Sequence, residues 1–247
     1  MESRRLNKKK RKRILLKLSG EFLGNDEGIG VSADKFYEIS LEIKKLLKEN
    51  IEIGIVIGAG NLFRGGISRQ SKKHTKLFRQ INADKAGMFG TLMNSILLYD
   101  MLNQLQVKSI LFSTIFIDSI EFFNPNKAIE YLQKGFVTIF GGGTSNPFFT
   151  TDTAAVLKAI EINADLLLKA TRVDGVYDKD PEKYSDARLY KKITYLEAIE
   201  KKLHIMDLTA FSMAMENNLK IVVFNFFKKN SLLNIIKGKK IGTLIEG

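Results

Sequence analysis

Short aliphatic runs alternate along this chain with segments whose apolar residues recur at helical spacing. The predicted strands cover residues 13–19, 51–57, 110–113, 136–140, 165–169 and 221–224. The predicted helices begin after Ser32, at 81–104, at 150–163, after Thr194 and at 207–218. Because parallel strands require crossover helices, this alternation predicts an α/β protein, an αβα sandwich with a mostly parallel central sheet.

Four predicted strands lead into polar or glycine-rich loops, at 17–20, 58–64, 141–152 and 169–180. In open parallel sheets, ligands bind beyond the carboxyl ends of the strands. Glycine lets backbone N–H groups approach a ligand closely, and cations such as Lys17, Arg64 and Lys169 suit phosphoryl oxygens. Each loop alone could be a simple tight turn, but four at corresponding strand ends predict a phosphate site.

Several common classes of site are excluded by what the sequence lacks. It contains no G-x-x-x-x-G-K-[ST] motif, and Phe63 stands where a dinucleotide fingerprint beginning at Gly58 needs its third glycine. The absence of cysteine excludes disulfides, thiolate zinc sites and cysteine nucleophiles. With only His74 and His204, histidine metal cages and a Ser-His-Asp hydrolase are disfavoured.

The net charge of +12 on 247 residues is concentrated at the amino terminus. Residues 1–13 carry eight basic side chains and one acidic one, which accounts for +7 of that charge. We predict a basic, disordered tail over 1–12 ahead of a single domain over 13–247; a nucleic-acid-binding arm is the alternative. No apolar run approaches the length of a membrane helix, so a soluble protein without a membrane partner is expected.

From the sequence alone, each candidate residue could also have a purely structural role. Lys17 alternates with Leu16 and Leu18 and could be an edge lysine with its head in water. Asp152 and Asp207 stand at helix starts and could be simple caps, and Asp84 could be a surface acid. The pair at 148–149 could be core or an aromatic wall for a base.

Five segments together resemble the bacterial uridylate (UMP) kinases, which have the amino-acid-kinase fold. They are Lys17-Leu-Ser-Gly20, Gly58-Ala-Gly-Asn-Leu-Phe-Arg-Gly65, Thr144-Ser-Asn-Pro-Phe-Phe-Thr-Thr-Asp152, Lys169-Ala-Thr-Arg-Val-Asp-Gly-Val-Tyr177 and Met206-Asp-Leu-Thr-Ala-Phe211. The likeness runs in order over about 13–246. The stretch 146–152 is specific to this family, whereas 17–20 alone would indicate only the fold.

The resemblance implies transfer of the γ-phosphoryl group of ATP to UMP, giving UDP and ADP in pyrimidine nucleotide biosynthesis. It further implies Mg²⁺ held mainly by nucleotide oxygens and water and not by a dedicated protein site, with Asp152 either orienting the lysine or holding the ion near the phosphates. It also implies a cytoplasmic homohexamer for which nucleic acid is not an expected partner. The acceptor portion would be about 13–163 and the ATP portion about 164–247.

The family's functional residues map onto this sequence position by position. ATP contacts would be Lys17, Leu18, Ser19, Gly20, Gly60, Arg64, Thr171, Tyr177 and Asp180. UMP contacts would be Ala59, Asp84, Thr144, Ser145, Asn146, Pro147, Phe148, Phe149, Thr150 and Thr151. The catalytic group would be Lys17, Arg64, Asp152 and Asp207.

The sequence also departs from the family pattern. Ala59 and Ser145 replace glycines, which is tolerable only if each residue avoids a positive φ or its loop shifts. The loop at 25–30 keeps two of three glycines, and Tyr99 and Asn103 stand where GTP-responsive relatives carry basic groups, so weak or absent GTP activation is expected. A kinase for a carboxylate or carbamate acceptor is the nearest rival, disfavoured by the aromatic segment 144–151.

Gly87 and Gly90 lie three residues apart on the predicted helix at 81–104. Their spacing predicts a close contact with another helix, possible also between subunits.

Overall fold

The computed structural model describes residues 11–63, 78–203 and 205–247. Predictions for residues 1–10, Arg64, His74 and His204 lie outside these ranges. The strands are β1 Arg13–Leu18, β2 Glu52–Ile57, β3 Ser109–Ser113, β4 Glu121–Phe122, β5 Val137–Gly141, β6 Leu166–Thr171, β7 Lys192–Ile193, β8 Ile221–Asn225 and β9 Thr243–Ile245. The helices are α1 Ala33–Leu46, α2 Gln80–Gln104, α3 Pro125–Gln133, α4 Thr151–Glu161, α5 Tyr195–Glu200, α6 Leu208–Glu216 and α7 Ser231–Ile236, with 3₁₀ turns at Gly20–Leu23 and Leu47–Glu49.

All of these strands join one sheet in the order β4-β3-β5-β2-β1-β6-β8-β9-β7. Neighbouring strands are parallel except for the antiparallel pair β8 and β9. The predicted sandwich with a mostly parallel sheet is therefore confirmed.

The sheet is covered on both faces because successive strand residues point to opposite sides. Ile14, Leu16 and Leu18 of β1 pack into a core shared with α1, α2 and α7. Leu15 packs into the opposite core, which α3, α4, α5 and α6 cover. Lys17 has the same parity as Leu15, so its side chain leaves the sheet on the α4 side.

Helix starts follow the polar residues that the sequence indicated. Ser32 accepts a hydrogen bond from Lys35 N at the start of α1. Thr194 and Glu197 form the predicted capping box at the start of α5. The sequence analysis did not identify α3, which Asn124 caps, because its nine residues carry a short apolar stripe.

An ion pair closes the amino-end edge of the sheet, opposite the glycine loops. Arg13 Nε lies 2.7 Å from Glu52 Oε2, and both side chains are buried. Arg11 Nη2 lies 3.4 Å from Glu52 Oε1. Among the described residues, no helix combines the length and the hydropathy needed to cross a membrane.

Candidate active site

The four predicted glycine or polar loops meet at one edge of the sheet. They follow β1, β2, β5 and β6, which are consecutive in the order β5-β2-β1-β6. Because these strands are parallel, their carboxyl ends point the same way and their loops form a continuous rim. The sheet order therefore brings together segments that lie more than 100 residues apart.

At the centre of this rim, one carboxylate lies between two lysines. Lys17 and Lys169 are opposite each other in the β1–β6 register. Lys17 Nζ lies 2.8 Å from Asp152 Oδ1, and Lys169 Nζ donates a hydrogen bond of 2.5 Å to Asp152 Oδ2. Lys169 Nζ also donates to the Ile205 carbonyl at 2.6 Å. The side chains of Lys17, Lys169 and Asp152 are only 11–15% exposed, so their charges interact in a poorly solvated site.

This arrangement sets the protonation of the carboxylate and one of the lysines. Burial acts to raise the pKa of Asp152, but the charges of Lys17 and Lys169 outweigh it and bring that pKa to about 2. Burial lowers the pKa of Lys169, and the Asp152 carboxylate opposes that change. Two ammonium groups thus face one carboxylate at this point, and cations placed in this way suit a phosphoryl group.

The two aspartates at helix starts differ in what they contact. Thr150, and not Asp152, caps α4, because its side chain accepts hydrogen bonds from the N–H groups of Asp152 and Thr153. Asp207 caps α6 by accepting from Ala210 N at 3.0 Å. Asp207 also accepts from the hydroxyl groups of Thr150 and Thr153, the latter at 2.8 Å. The Asp207 carboxylate thus joins α6 to the start of α4.

Two cavities open on either side of these charges. One of about 400 Å³ is lined by Lys17, Thr150, Thr151, Asp152, Ile205, Met206 and Asp207. The other, of about 550 Å³, is lined by three of the predicted ATP contacts, Thr171, Tyr177 and Asp180, together with Lys169. Ile205, whose carbonyl group accepts from Lys169, lines both cavities, so the cavities adjoin at this residue.

Backbone groups of the first predicted ATP segment pack against the turn at 58–61. Gly58 N donates to the carbonyl of Leu18 at 2.9 Å. A Cβ atom on Gly20 would lie 2.5 Å from Gly58 O and 2.6 Å from Gly60 N, so no larger residue fits there. Leu18 is fully buried, so its side chain serves the core and only its main chain reaches this region.

Ala59, in the turn at 58–61, lies close to Gly90 on α2. Ala59 is not among the described residues with a positive φ, so its methyl group introduces no left-handed strain. A Cβ atom on Gly90 would lie 2.8 Å from the Ala59 Cβ. The close contact predicted at Gly90 is therefore with this turn and not with another helix, and the nearest neighbour of Gly87 is the Phe63 ring.

The predicted acceptor segment lies beside the start of α2. The N–H of Phe148 donates to Asp84 Oδ2 at 2.8 Å, and Gln80 Nε2 donates to Asp84 Oδ1 at 2.7 Å. Asp84 is thus a half-buried anchor and not a freely solvated acid. Phe148 and Phe149 are 72% and 47% exposed, which excludes the core alternative and leaves two rings facing solvent.

Hydrogen bonds within the segment hold its tight conformation. Thr144 Oγ1 accepts from Asn146 N at 3.2 Å and donates to Asn146 O at 3.0 Å. Ser145 has φ = +63° and Phe148 has φ = +73°, a region that residues other than glycine seldom adopt. Ser145 therefore does not avoid a positive φ, and the loop holds it in a conformation that glycine would adopt more readily.

A protein-only metal site is not formed by the described parts of the chain. No group of three or more Asp, Glu, His or Cys side chains there could hold an ion. Of the nearby carboxylates, Asp152 faces two lysines and Asp207 accepts from two threonines and a backbone N–H. These residues fit a hard cation that arrives with phosphate oxygens and keeps several waters.

Most predicted site residues thus lie along one rim, while Arg64 falls outside the described ranges. Ser19 precedes the 3₁₀ turn and accepts from Phe22 N, and Pro147 lies in the acceptor segment beside Phe148. The sequence analysis did not identify the role of Thr153 or of the Ile205 carbonyl. Neither residue carries a motif, because a threonine inside a helix and a main-chain oxygen leave no sequence signal.

Comparison with known proteins adds independent findings. The model of the amino acid kinase family matches residues 12–225. A uridylate kinase from Actinobacillus pleuropneumoniae serotype 5b is 46% identical over 236 residues, covering 95% of this chain and 98% of that protein. The crystal structure of a UMP kinase from Bacillus anthracis superposes with a TM-score of 0.90 at 34% identity, covering 95% of this chain and 96% of that one. A UMP kinase from Ureaplasma parvum gives 0.88 at 32% identity, covering 96% and 100%.

Proposed function

The chain belongs to the amino acid kinase family and, within it, to the uridylate kinases, and on that premise we propose how its residues transfer the γ-phosphoryl group of ATP to UMP. The observation that carries the proposal is the pair of in-register lysines, Lys17 and Lys169, held by Asp152 between two adjoining cavities. Phosphoryl transfer needs positioning and charge neutralisation more than covalent help from the protein.

ATP occupies the cavity lined by Thr171, Tyr177 and Asp180, with its phosphates directed towards Lys169 and Lys17. The main-chain groups of residues 17–20 and Gly60 approach the phosphates, since glycine allows that approach. Arg64 completes the set of cations in this proposal. Because Lys17 lines one cavity and Lys169 the other, the γ-phosphoryl group would lie between them.

UMP occupies the acceptor side, formed by Ala59, Asp84 and the segment 144–151. Asp84 accepts hydrogen bonds from ribose hydroxyl groups, which a fixed carboxylate does well. The exposed rings of Phe148 and Phe149 offer an aromatic wall for the uracil base. Thr150 and Thr151 line the smaller cavity. The Thr151 hydroxyl group would reach the phosphate of the acceptor, whereas the Thr150 hydroxyl group is bonded to Asp207 and to the first turn of α4.

Asp152 and Asp207 position the other groups and take no part in bond making. Asp152 keeps both lysine ammonium groups facing one point. Asp207 fixes the first turn of α4 through the hydroxyl groups of Thr150 and Thr153. When Mg²⁺ arrives with ATP, it would supply further neutralisation of the phosphates.

The decisive experiment measures ATP consumption with UMP, CMP, acetylglutamate and carbamate in parallel. We expect turnover with UMP to exceed that with the other three acceptors by orders of magnitude. Equal or greater turnover with acetylglutamate or carbamate would overturn the assignment of the acceptor. Omitting Mg²⁺ in the same assay tests the need for the metal, and UDP as product identifies the reaction.

A second experiment tests the alternative that the basic tail binds nucleic acid. A deletion that ends at residue 10 retains Arg11, whose side chain pairs with Glu52. The kinase proposal expects full activity in this deletion variant, and it expects any salt-sensitive affinity for RNA to vanish with the tail. We also propose that the protein is cytoplasmic and forms a homohexamer. Light scattering of the purified protein tests the oligomeric state.

A further inference from the structure

Two asparagine side chains face each other in the interior, one on α2 and one at the end of the turn after β2. Asn94 is fully buried and Asn61 is 4% exposed. Asn94 Nδ2 donates to Asn61 Oδ1 at 2.8 Å, and Asn61 Nδ2 donates back to Asn94 Oδ1 at 3.1 Å. A buried amide that lost these partners would leave unsatisfied polar atoms, so the pair is strongly held.

The remaining donors of the pair go to the main chain. Asn94 Nδ2 also donates to Gly58 O at 2.8 Å, and Asn61 Nδ2 donates to Gly30 O at 2.7 Å. Gly30 N in turn donates to Asn61 O at 2.8 Å. Since a carboxamide has two N–H donors, all four donors of the pair are used. Asn94 therefore fixes both ends of the turn: Gly58 through its carbonyl group, and Asn61 through its side chain.

The turn that this pair fixes is clamped from two sides. Gly20, in the ATP segment, approaches Gly58 and Gly60 so closely that a Cβ atom there would lie within 2.6 Å of their main-chain atoms. Gly90, one helical turn before Asn94, approaches Ala59 from α2. A small displacement of the turn would therefore move the groups proposed to contact both nucleotides.

We propose that Asn94 is a positioning residue that sets the separation of the two nucleotides through the turn at 58–61. It touches neither substrate, because its side chain is enclosed by protein. It acts on Ala59, assigned to UMP, and on Gly60, assigned to ATP. The same helix α2 carries Asp84, so Asn94 also fixes the turn relative to the acceptor carboxylate. This inference rests on the proposed function, from which those two assignments come.

The first test replaces Asn94 by alanine and measures steady-state kinetics with both substrates. We expect kcat to fall about ten-fold or more, because small misplacements of reacting groups slow a reaction steeply. We also expect the KM values for UMP and ATP each to rise about three-fold or more. A purely structural loss would reduce the amount of folded enzyme, which lowers the apparent kcat and leaves both KM values unchanged. Circular dichroism and thermal melting verify the folded fraction.

Ser95→Ala is the matched control. Ser95 lies next to Asn94 on α2, is fully buried, and its hydroxyl donates only to Thr91 O of the same helix. We expect both KM values and kcat of this variant to stay within about two-fold of the wild type. A Ser95→Ala variant with the same kinetic defects as Asn94→Ala would overturn the proposal, because any buried change in α2 would then suffice.

A double-mutant cycle with Asn61→Ala tests whether the pair acts as a unit. The double variant should be no more than about two-fold worse in kcat/KM than the worse single variant, since either change breaks the same link. If the reductions in kcat/KM of the two single variants multiplied in the double variant, the proposal would be overturned. If Asn94→Ala does not fold, Asn94→Ser and Asn61→Ala are judged by the same KM criterion.

The outcomes distinguish a failure of the proposed function from a failure of the inference about Asn94. A wild-type protein without activity on UMP would overturn the proposed function, and the inference would lose its premise. An active wild type, together with a folded Asn94→Ala enzyme whose KM values and kcat are unchanged, would overturn the inference alone.

Discussion

Asp84 Oδ2 accepts a hydrogen bond from the backbone N–H of Phe148 at 2.8 Å, across 64 residues of sequence. One carboxylate proposed to bind ribose therefore also fixes the main chain of the segment proposed to bind the rest of UMP. Ribose recognition and the shape of the acceptor loop are linked through this side chain.

We predict that Asp84→Asn weakens the binding of UMP more than the binding of ATP. The amide oxygen of asparagine can still accept from Phe148, but the charge that binds ribose hydroxyl groups is lost. The KM for UMP should rise about ten-fold with little change in the KM for ATP, and Asp84→Ala, which also frees the loop, should be worse. Equal effects on both substrates would contradict the assigned role.

Lys17→Ala should lower kcat by about two or more orders of magnitude with the fold intact, since it removes a preorganised cation from the phosphoryl site. Lys35→Ala is a matched control, because Lys35 lies on the exposed surface of α1 and pairs only with Glu38 three residues later. Steady-state kinetics and circular dichroism measure the two effects. An unchanged kcat in Lys17→Ala would remove this lysine from the proposed site.

Asp152 should stabilise the fold in a pH-dependent way. Its pKa of about 2 lies below the usual 3.8, so the native state favours the ionised form. The resulting contribution, about 2 kcal/mol, is fully present above about pH 4 and is lost as the pH falls towards 2. Urea unfolding between pH 6 and pH 2 should therefore show a steeper loss of stability for the wild type than for Asp152→Asn. Parallel curves for the two proteins would contradict the assignment.

Asp152→Asn should also be less stable than the wild type at neutral pH, because Lys17 and Lys169 would then repel each other without the intervening anion. Breaking a buried ion pair by removing one partner costs about 3–5 kcal/mol. The free energy of unfolding at pH 7 measures this difference.

Ser145→Gly should stabilise the protein by about 1 kcal/mol, since it relieves a left-handed φ of +63°. The expected increase in Tm is accompanied by little change in the KM for UMP, because the loop keeps its conformation. Gly143→Ala is the reverse comparison, as Gly143 has φ = +64° in the same loop and should lose stability. A lower Tm for Ser145→Gly would contradict this explanation.

Activation by GTP is expected to be weak or absent, because neither Tyr99 nor Asn103 supplies a cation. Initial rates at subsaturating ATP, with and without GTP, measure this directly. Stimulation of several-fold would show that other residues provide the effector site.

The longer strands and the rim of loops could be predicted because they depend on strong local signals. Aliphatic runs mark buried parallel strands, and glycines mark the turns that follow them. Short elements were harder, as β7 has two residues and β9 three, too few for a period to emerge. Their positions depend on long-range pairing, of β9 with β8 and of β7 with β9.

The candidate site shows the same division between local and long-range information. Lys17 and the acceptor segment were found through their motifs, and Asp84 was assigned through the family resemblance alone. The shared contact of Lys17 and Lys169 with Asp152 depends on strand register and on the placement of α4, which the sequence does not state. Asn94 carries no signal at all, since a polar residue in a long helix is expected to face solvent.

The β1–β6 register, in which Lys17 stands opposite Lys169, has a consequence for how this enzyme can vary. The separation of adjacent strands, about 4.8 Å, sets the spacing of the two lysine backbones. Asp152 and the Ile205 carbonyl then direct the ammonium groups. Rim loops other than those that place Asp152 and Ile205 could be lengthened or exchanged without moving the two lysine backbones. A single-residue slip between the two strands would instead send one cation to the opposite layer of the sandwich.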